Sequence, residues 1–274
     1  MTGRKHALKD MTFVEFRERL SERPVIILPF GSQEEQGPHA PMGDYVLAER
    51  LALLVAEATG AIAAPVVPFG YADFFRSIPG GIQLRASTFT ALLEDMVTAF
   101  LDHGIEHLVV FNGHTTNAPL IDQTVRRIRA ARGVAIPSIN IWQMIPQDLW
   151  RSLHGDAAGQ ARGHGGDPIT SVALHLTPEL VRLDLVRPTA SGNALGLPTT
   201  GVSGVNFEGV PIALPLQVTE VNEDGMLGGD PTLSRAAIGA AITQHIVEVS
   251  ARFIDHFRNC DPRVISNGPK GGVL

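Results

Sequence analysis

Apolar runs bounded by glycine and proline alternate with segments of helical period to about residue 180, and this alternation constrains the fold more than any other feature of the chain. It is typical of βαβ units, in which helices cover a mostly parallel sheet. We therefore predict an α/β fold. The predicted strands are residues 25–30, 61–67, 107–111 and 134–142, and the predicted helices are residues 12–20, 44–58, 88–103, 117–132 and 231–257.

The chain of 274 residues is long enough for one large α/β domain or two small ones. Glycine and proline are dispersed, and neither a low-complexity linker nor a repeat of fixed period interrupts the sequence. This favours a single domain over residues 1–274. Residues 181–229 form a looser Gly- and Pro-rich insertion before the final helix, and they are compatible with an extra hairpin, a wall of an active site or an oligomer contact.

The formal net charge is -6, with acidic and basic residues interleaved. This charge argues against a nucleic-acid-binding surface and against binding to an anionic membrane, so we expect a small-molecule substrate. The sequence has no apolar signal segment and no apolar run of about 18 residues, which predicts a soluble, cytoplasmic protein. Cys260 is the only cysteine, so a metal site would have to use His, Asp and Glu side chains.

The first polar cluster, residues 31–44, directly follows the predicted strand 25–30. It contains Glu34, Glu35, His39 and Asp44. Ligand sites of open α/β proteins lie at the carboxyl ends of strands, and several oxygen and nitrogen donors within about a dozen residues suit a divalent metal. The cluster therefore predicts a metal site at this edge of the sheet.

A second polar cluster, residues 111–117, comes directly after the apolar strand residues 108–110. Because parallel strands open on the same edge, His114 is expected to lie close to Glu34 and Asp44 as a further ligand. The alternative is a capping or packing role in the turn. Gly113, beside His114, would let the backbone approach a substrate closely.

The third cluster, residues 163–171, places His164 and Asp167 before a helix-like segment. Asp167 could simply cap that helix, which would leave His164 as a loop residue. The alternative is that His164 is a proton donor at the site. His154 is a fourth candidate, for which a structural role is favoured.

The loop of residues 69–84 carries aromatic residues that either cover a substrate site or only pack onto the sheet. Tyr71, Phe74 and the strand-end Trp142 are the candidates for a pocket wall. Motifs for dinucleotide binding, for a P-loop and for a serine-hydrolase elbow do not occur in the sequence.

Taken together, the three clusters resemble the creatininase (creatinine amidohydrolase) family, with its pattern GSxEQHGPHLPLxTD, then NGHGGN, then HAGxxETS. Glu34 matches the family's metal-binding glutamate and His114 its NGH histidine. The metal histidine of the pattern falls on Gln36, and its aspartate falls on Tyr45, one residue after Asp44. A shifted alignment with Glu35 in the ligand position is equally consistent with the sequence.

In the third motif, His164 matches the family's histidine and the ETS glutamate falls on Ile169. We therefore expect His39 and Asp167 to act as replacement ligands, with Asp44 binding or bridging. A site with a single ion, or a relative that has lost its metal, is the alternative.

The resemblance implies a three-layer α/β/α sandwich and the hydrolysis of a C–N bond in a small cyclic amide or related polar substrate. The implied cofactor is one or two divalent ions, zinc first with manganese or iron as alternatives. His164, and after it Glu35, would move the proton. The family resemblance also implies a homo-oligomer, with a hexamer as the candidate size. The alternatives are a metal-dependent C–C hydrolase or lyase acting on a cyclic polyol-like ketone, and a non-catalytic binding protein.

Overall fold

Four parallel strands form the central sheet of the computed structural model, in which residues 3–264 are described. The spatial order is β2-β1-β3-β4, and every residue of β1 and β3 is buried. Sheets of this kind need cover on both faces. The strands are β1 Ile26–Phe30, β2 Ile62–Ala63, β3 Leu108–Asn112 and β4 Ser138–Asn140.

Helices cover both faces of this sheet. Ile27 of β1 packs into a core with the helices α2, α7 and α9, whereas Ile26 and Leu28 point to the opposite core, which α3 and α4 complete. The predicted three-layer α/β/α arrangement is therefore present. The helices are α1 Phe13–Arg19, α2 Tyr45–Thr59, α3 Ala86–Asp102, α4 Ala118–Arg132, α5 Gln147–His154, α6 Ala158–Ala161, α7 Ile169–Leu176, α8 Val218–Val221 and α9 Ala236–Arg258.

Two strands are shorter than the sequence predicts because proline interrupts the ladder. Pro65 follows β2 and Pro137 precedes β4, and neither residue has an N–H group to donate. The final helix also begins later than expected, at Ala236. The turn Pro231–Leu233, capped by the side chain of Asp230, comes before it as a separate element.

The Gly- and Pro-rich insertion folds into short strands and helical turns. Two hairpins precede the helix α8, and the last strand pairs antiparallel with β5. This pairing brings Leu227 opposite His164, so part of the insertion lies beside a candidate catalytic residue. The strands are β5 Gly163–His164, β6 Asn193–Ala194, β7 Leu197–Pro198, β8 Gly204–Phe207, β9 Val210–Ala213 and β10 Leu227–Gly228.

Candidate metal centre

The carboxyl ends of β1 and β3 lie side by side, which brings the first two polar clusters together. Phe30 is opposite Asn112 in the register, and the Gly113 N–H donates to the Phe30 carbonyl at 2.8 Å. Gly31 allows the start of α2 to approach closely, since a Cβ atom at this position would lie 2.4 Å from the Cα of Tyr45. Two segments 70 residues apart in sequence thereby form one site.

Glu34, Asp44 and His114 form a buried group whose ligand atoms all lie within 4.8 Å of one another. Within residues 3–264 it is the only group of three such side chains. Nδ1 of His114 lies 2.8 Å from Oδ2 of Asp44 and 3.3 Å from Oε1 of Glu34. Oε2 of Glu34 is buried and has no hydrogen-bond partner among the described residues. A cation would satisfy this unpaired carboxylate oxygen.

Electrostatics also favour a positive charge at this position. Burial raises the pKa of Asp44 to about 6, against the attraction of His114 and the hydrogen bond from the Ser32 N–H. Burial lowers the pKa of His114, but the carboxylates of Glu34 and Asp44 outweigh it and raise that pKa well above its usual value. Two buried carboxylates thus need either a proton or a metal ion between them, and their donors match zinc, manganese or iron.

The carboxylate of Glu35 binds a different partner from that of Glu34. Its Oε1 lies 2.9 Å from Nε2 of His164, and its Oε2 accepts from the Gly37 N–H at 2.7 Å. The ring of Phe75 stacks on His164 with the centroids 4.5 Å apart. Burial lowers the pKa of His164, but the hydrogen bond and charge of Glu35 outweigh it and raise that pKa. The pair therefore holds a proton beside the candidate metal centre.

A cavity of about 170 Å³ opens onto both groups. Phe74, Trp142 and Gly113 line it, and the indole N–H of Trp142 donates to the Gly113 carbonyl at 2.5 Å. Tyr71 is not among the lining residues, which corrects its expected place in the pocket wall. It is the backbone carbonyl of Tyr71 that contacts the site, by accepting a hydrogen bond from Thr116.

Two cavities of much greater volume lie at other places on the surface. One of about 780 Å³ lies between residues 20–24, 103–107 and 258–263, away from the carboxylate cluster. The other, of about 830 Å³, lies under the insertion and meets the small cavity only at Leu227. Because neither contains the paired carboxylates, the small cavity is the better candidate for chemistry.

His39 and Asp167 lie outside the group of three, which corrects the expectation that they complete the ligand set. Nε2 of His39 lies 2.9 Å from the hydroxyl of Thr170. The Asp167 carboxylate accepts hydrogen bonds from the Ser171 N–H and from the hydroxyls of Ser171 and Ser234, at 2.9, 2.6 and 2.6 Å. These bonds tie the first turn of α7 to the start of α9, so Asp167 caps and crosslinks helices.

His154 belongs to this second network. Its side chain is only 1% exposed, and its Nε2 lies 3.4 Å from Oδ2 of Asp167. The sequence predicts a structural role for His154, and its burial beside Trp150 is compatible with that role. His154 is the last residue of α5.

The cavity lining also includes residues that are not among the predicted site residues, such as Thr116, Ile169 and Leu227. Thr116 follows His114 by two residues in the same polar cluster, so its position in the motif could have identified it. Ile169 occupies a motif position at which the family pattern has a carboxylate. Leu227 has no sequence signal, since only the pairing of β10 with β5 brings it to the cavity.

A family model described as Creatininase: Creatinine amidohydrolase matches residues 9–254. The chain belongs to the creatininase family. A creatinine amidohydrolase of Pseudomonas putida is 30% identical over 192 residues, which are 65% of this chain and 74% of that protein. A mycofactocin precursor peptide peptidase of Mycobacterium ulcerans (strain Agy99) is 30% identical over 241 residues, 82% of each chain. A 3-dehydro-scyllo-inosose hydrolase of Thermotoga maritima is 35% identical over 175 residues, 62% of this chain and 56% of that protein.

Solved creatininase structures share the fold. A crystal structure of creatinine amidohydrolase (creatininase) has a TM-score of 0.75 and 23% identity, and the match covers 94% of this chain and 100% of that chain. Two further solved creatininases, described as a mutant of Zn-Zn type and a Mn form, match at TM-scores of 0.74 and 0.73 and 23% identity. The first match covers 93% of this chain, the second covers 92%, and each covers 99% of the solved chain.

Family membership confirms the predicted α/β fold and the predicted class of enzyme, an amidohydrolase. C–C cleavage of a cyclic ketone and non-catalytic binding are not favoured, because the family model and the P. putida relative are both described as amidohydrolases. Of the helices described in residues 3–264, none combines the length and apolar character needed to cross a membrane.

Proposed function

We propose that this member of the creatininase family hydrolyses the C–N bond of a compact amide with one divalent ion, zinc first, held by Glu34, Asp44 and His114. The observation that carries the proposal is the buried group of three ligand side chains with an unpaired carboxylate oxygen. A divalent ion bound there supplies a Lewis acid for the carbonyl oxygen and lowers the pKa of a water molecule. The protein residues would then position the substrate and move protons.

The residues around the group support one ion rather than two. Gln36 stands where the family pattern has a metal histidine, and its amide donates to Oε1 of Glu34 at 3.3 Å. Ile169 stands where the pattern has a glutamate, and it lines the cavity with an apolar side chain. A second ion would lack anionic or imidazole ligands at both positions. We therefore propose a mononuclear site.

His164 is the proposed proton donor to the leaving nitrogen. Glu35 binds Nε2 of His164, and within residues 3–264 the Nδ1 atom has no hydrogen-bond partner. A Cβ atom at Gly225 would lie 2.4 Å from the carboxyl carbon of Glu35, so the backbone of the insertion closes directly over this carboxylate. A fixed carboxylate stabilises the imidazolium and holds its orientation, which is what general-acid catalysis requires.

The cavity supports a compact, uncharged substrate. Its volume of about 170 Å³ is small, and no lysine or arginine is among the described residues that line it. The apolar part of the lining would contact the acyl flank of an amide, while the carbonyl faces the three ligands. The apolar lining residues are Phe74, Phe75, Trp142, Ile169 and Leu227.

We also propose that the protein forms a homo-oligomer through its insertion, with a hexamer as the first candidate. Seven large apolar side chains between residues 180 and 212 are exposed, and single chains rarely expose such a concentration of apolar surface. The most exposed is Leu195, at 82%. The cytoplasmic location and the single-domain organisation stay predictions.

Amide hydrolysis can be measured with a panel of small cyclic amides, formamides and dipeptides, with product nitrogen and carboxylate followed by NMR. Protein reconstituted with zinc or manganese is expected to release nitrogen from at least one class, and removal of the ion with a chelator should abolish that release. Cleavage that persists in metal-free protein, or product formation without release of nitrogen, would contradict the proposal.

A further inference from the structure

The hydroxyl of Thr116 lies between the ring of His114 and the backbone carbonyl of Tyr71. Its Oγ1 atom is 2.5 Å from Nε2 of His114 and also bonds the Tyr71 oxygen. The arrangement therefore couples a proposed metal ligand to the loop that covers the site. An effect of this coupling on metal binding rests on the proposed function, in which His114 holds the ion.

The direction of both hydrogen bonds follows from the donors available. A carbonyl oxygen can only accept, so the single hydroxyl proton of Thr116 goes to Tyr71. The hydroxyl then has only lone pairs to offer to His114. Nε2 of His114 must therefore carry a proton, because two lone pairs at this distance would repel each other.

A proton on Nε2 defines which ring nitrogen is free to bind metal. With Nε2 protonated and held by Thr116, Nδ1 is the ring nitrogen that can give up its proton and bind a metal ion through its unshared pair. Nδ1 is the atom that faces the carboxylates of Asp44 and Glu34, at 2.8 and 3.3 Å. The hydrogen bond to Thr116 thus selects Nδ1 as the nitrogen that would bind the proposed ion.

The Tyr71 carbonyl is itself held in place by a buried amide. Oδ1 of Asn117 accepts from the Tyr71 N–H at 2.9 Å, and Nδ2 of Asn117 donates to the Gly31 carbonyl at 3.2 Å. Asn117 is fully buried at the carboxyl ends of β1 and β3. The acceptor for Thr116 is therefore fixed to the sheet edge rather than carried by a free loop.

We propose that Thr116 is a positioning residue that fixes His114 in the Nε2-protonated tautomer and so sets the affinity of the site for a divalent ion. Thr116 would act through His114 and does not itself need to touch the ion. Groups that orient metal-binding histidines in this way typically contribute about 10- to 100-fold in metal affinity. The assignment adds a function to a residue that is not a ligand.

The test compares Thr116→Val, which keeps the shape and removes the hydroxyl, with Thr116→Ser, which keeps the hydroxyl. The dissociation constant for zinc is measured by competition with a chromophoric chelator on full-length protein. The Val variant is expected to bind zinc about 10- to 100-fold more weakly, and the Ser variant within roughly 3-fold of the wild type. Equal affinities for Val and wild type, or a Ser variant as weak as Val, would overturn the proposal.

A second measurement does not depend on how the variants fold. Nitrogen-15 NMR of zinc-loaded wild-type protein is expected to show His114 protonated at Nε2 and bound to zinc through Nδ1. Zinc bound through Nε2, with the proton on Nδ1, would overturn the inference. If the wild type binds no zinc at all, the proposed metal site fails, whereas the NMR spectrum of the metal-free protein still reports whether Nε2 carries a proton, and an unprotonated Nε2 would overturn the inference.

Discussion

Replacing His114 by alanine is expected to remove the bound ion and to lower kcat/KM for amide hydrolysis by about 10²- to 10³-fold, the scale seen when a major electrostatic group is lost from an active site. His114 is one of only three ligand side chains in the group, and it is 5% exposed. Glu34 and Asp44 alone would face each other as buried like charges. Metal content by plasma mass spectrometry and initial rates measure the two effects.

Asp167→Asn is the matched control for this prediction. Asp167 is buried as deeply as the proposed ligands, but its carboxylate crosslinks α7 and α9 through Ser171 and Ser234. This variant should keep its metal ion, although it is expected to unfold at a lower temperature. Full metal retention in His114→Ala, or metal loss in a folded Asp167→Asn protein, would contradict the ligand assignment.

Replacing His164 by alanine is expected to lower kcat by roughly 10²- to 10⁴-fold while metal content stays unchanged, since general-acid catalysis contributes on that scale. The side chain bonds Glu35 and stacks on Phe75, and it is not among the three ligand residues. A substrate whose leaving nitrogen can depart without being protonated does not need His164 as a proton donor. The loss should therefore be much smaller for a nitroanilide than for an alkylamide.

Glu35→Gln provides the graded comparison. Glutamine can still bond His164 but removes the negative charge that stabilises the imidazolium, so kcat should fall by less than in His164→Ala. A His164→Ala variant that loses equal activity on both substrates would count against the role of proton donor. So would one that loses its metal ion.

Much of the fold can be predicted from the sequence because long apolar runs must be buried, and here they are buried as the central strands. The residues of β1 and β3 are entirely buried, and parallel strands require helices on both faces. The same logic predicts that the clusters after these strands meet at one edge. The ends of the strands are harder to predict, because they depend on the backbone. Pro65 and Pro137 shorten β2 and β4, and the hydrophobic pattern alone does not reveal this.

Residues of the candidate site could be predicted only where they directly follow the end of a strand in the sequence. Glu34 and Glu35 are adjacent, and the sequence cannot assign one to His114 and the other to His164 before the third motif is placed in space. The glycine-rich loop around Asp167 suggests a metal ligand, yet helix capping uses the same residue type. Leu227 reaches the cavity only through the pairing of β10 with β5, which are far apart in sequence. A local sequence pattern cannot predict such a pairing.

The most direct test of the proposed metal centre is the number of metal ions per chain, measured by plasma mass spectrometry on protein purified without chelator or nickel resin. One equivalent of zinc, or of manganese when that ion is supplied, is the expected result for a site made by Glu34, Asp44 and His114. Two equivalents would contradict the mononuclear site, because residues other than these would have to recruit a second ion. None, after both metals have been offered, would contradict the proposed chemistry altogether.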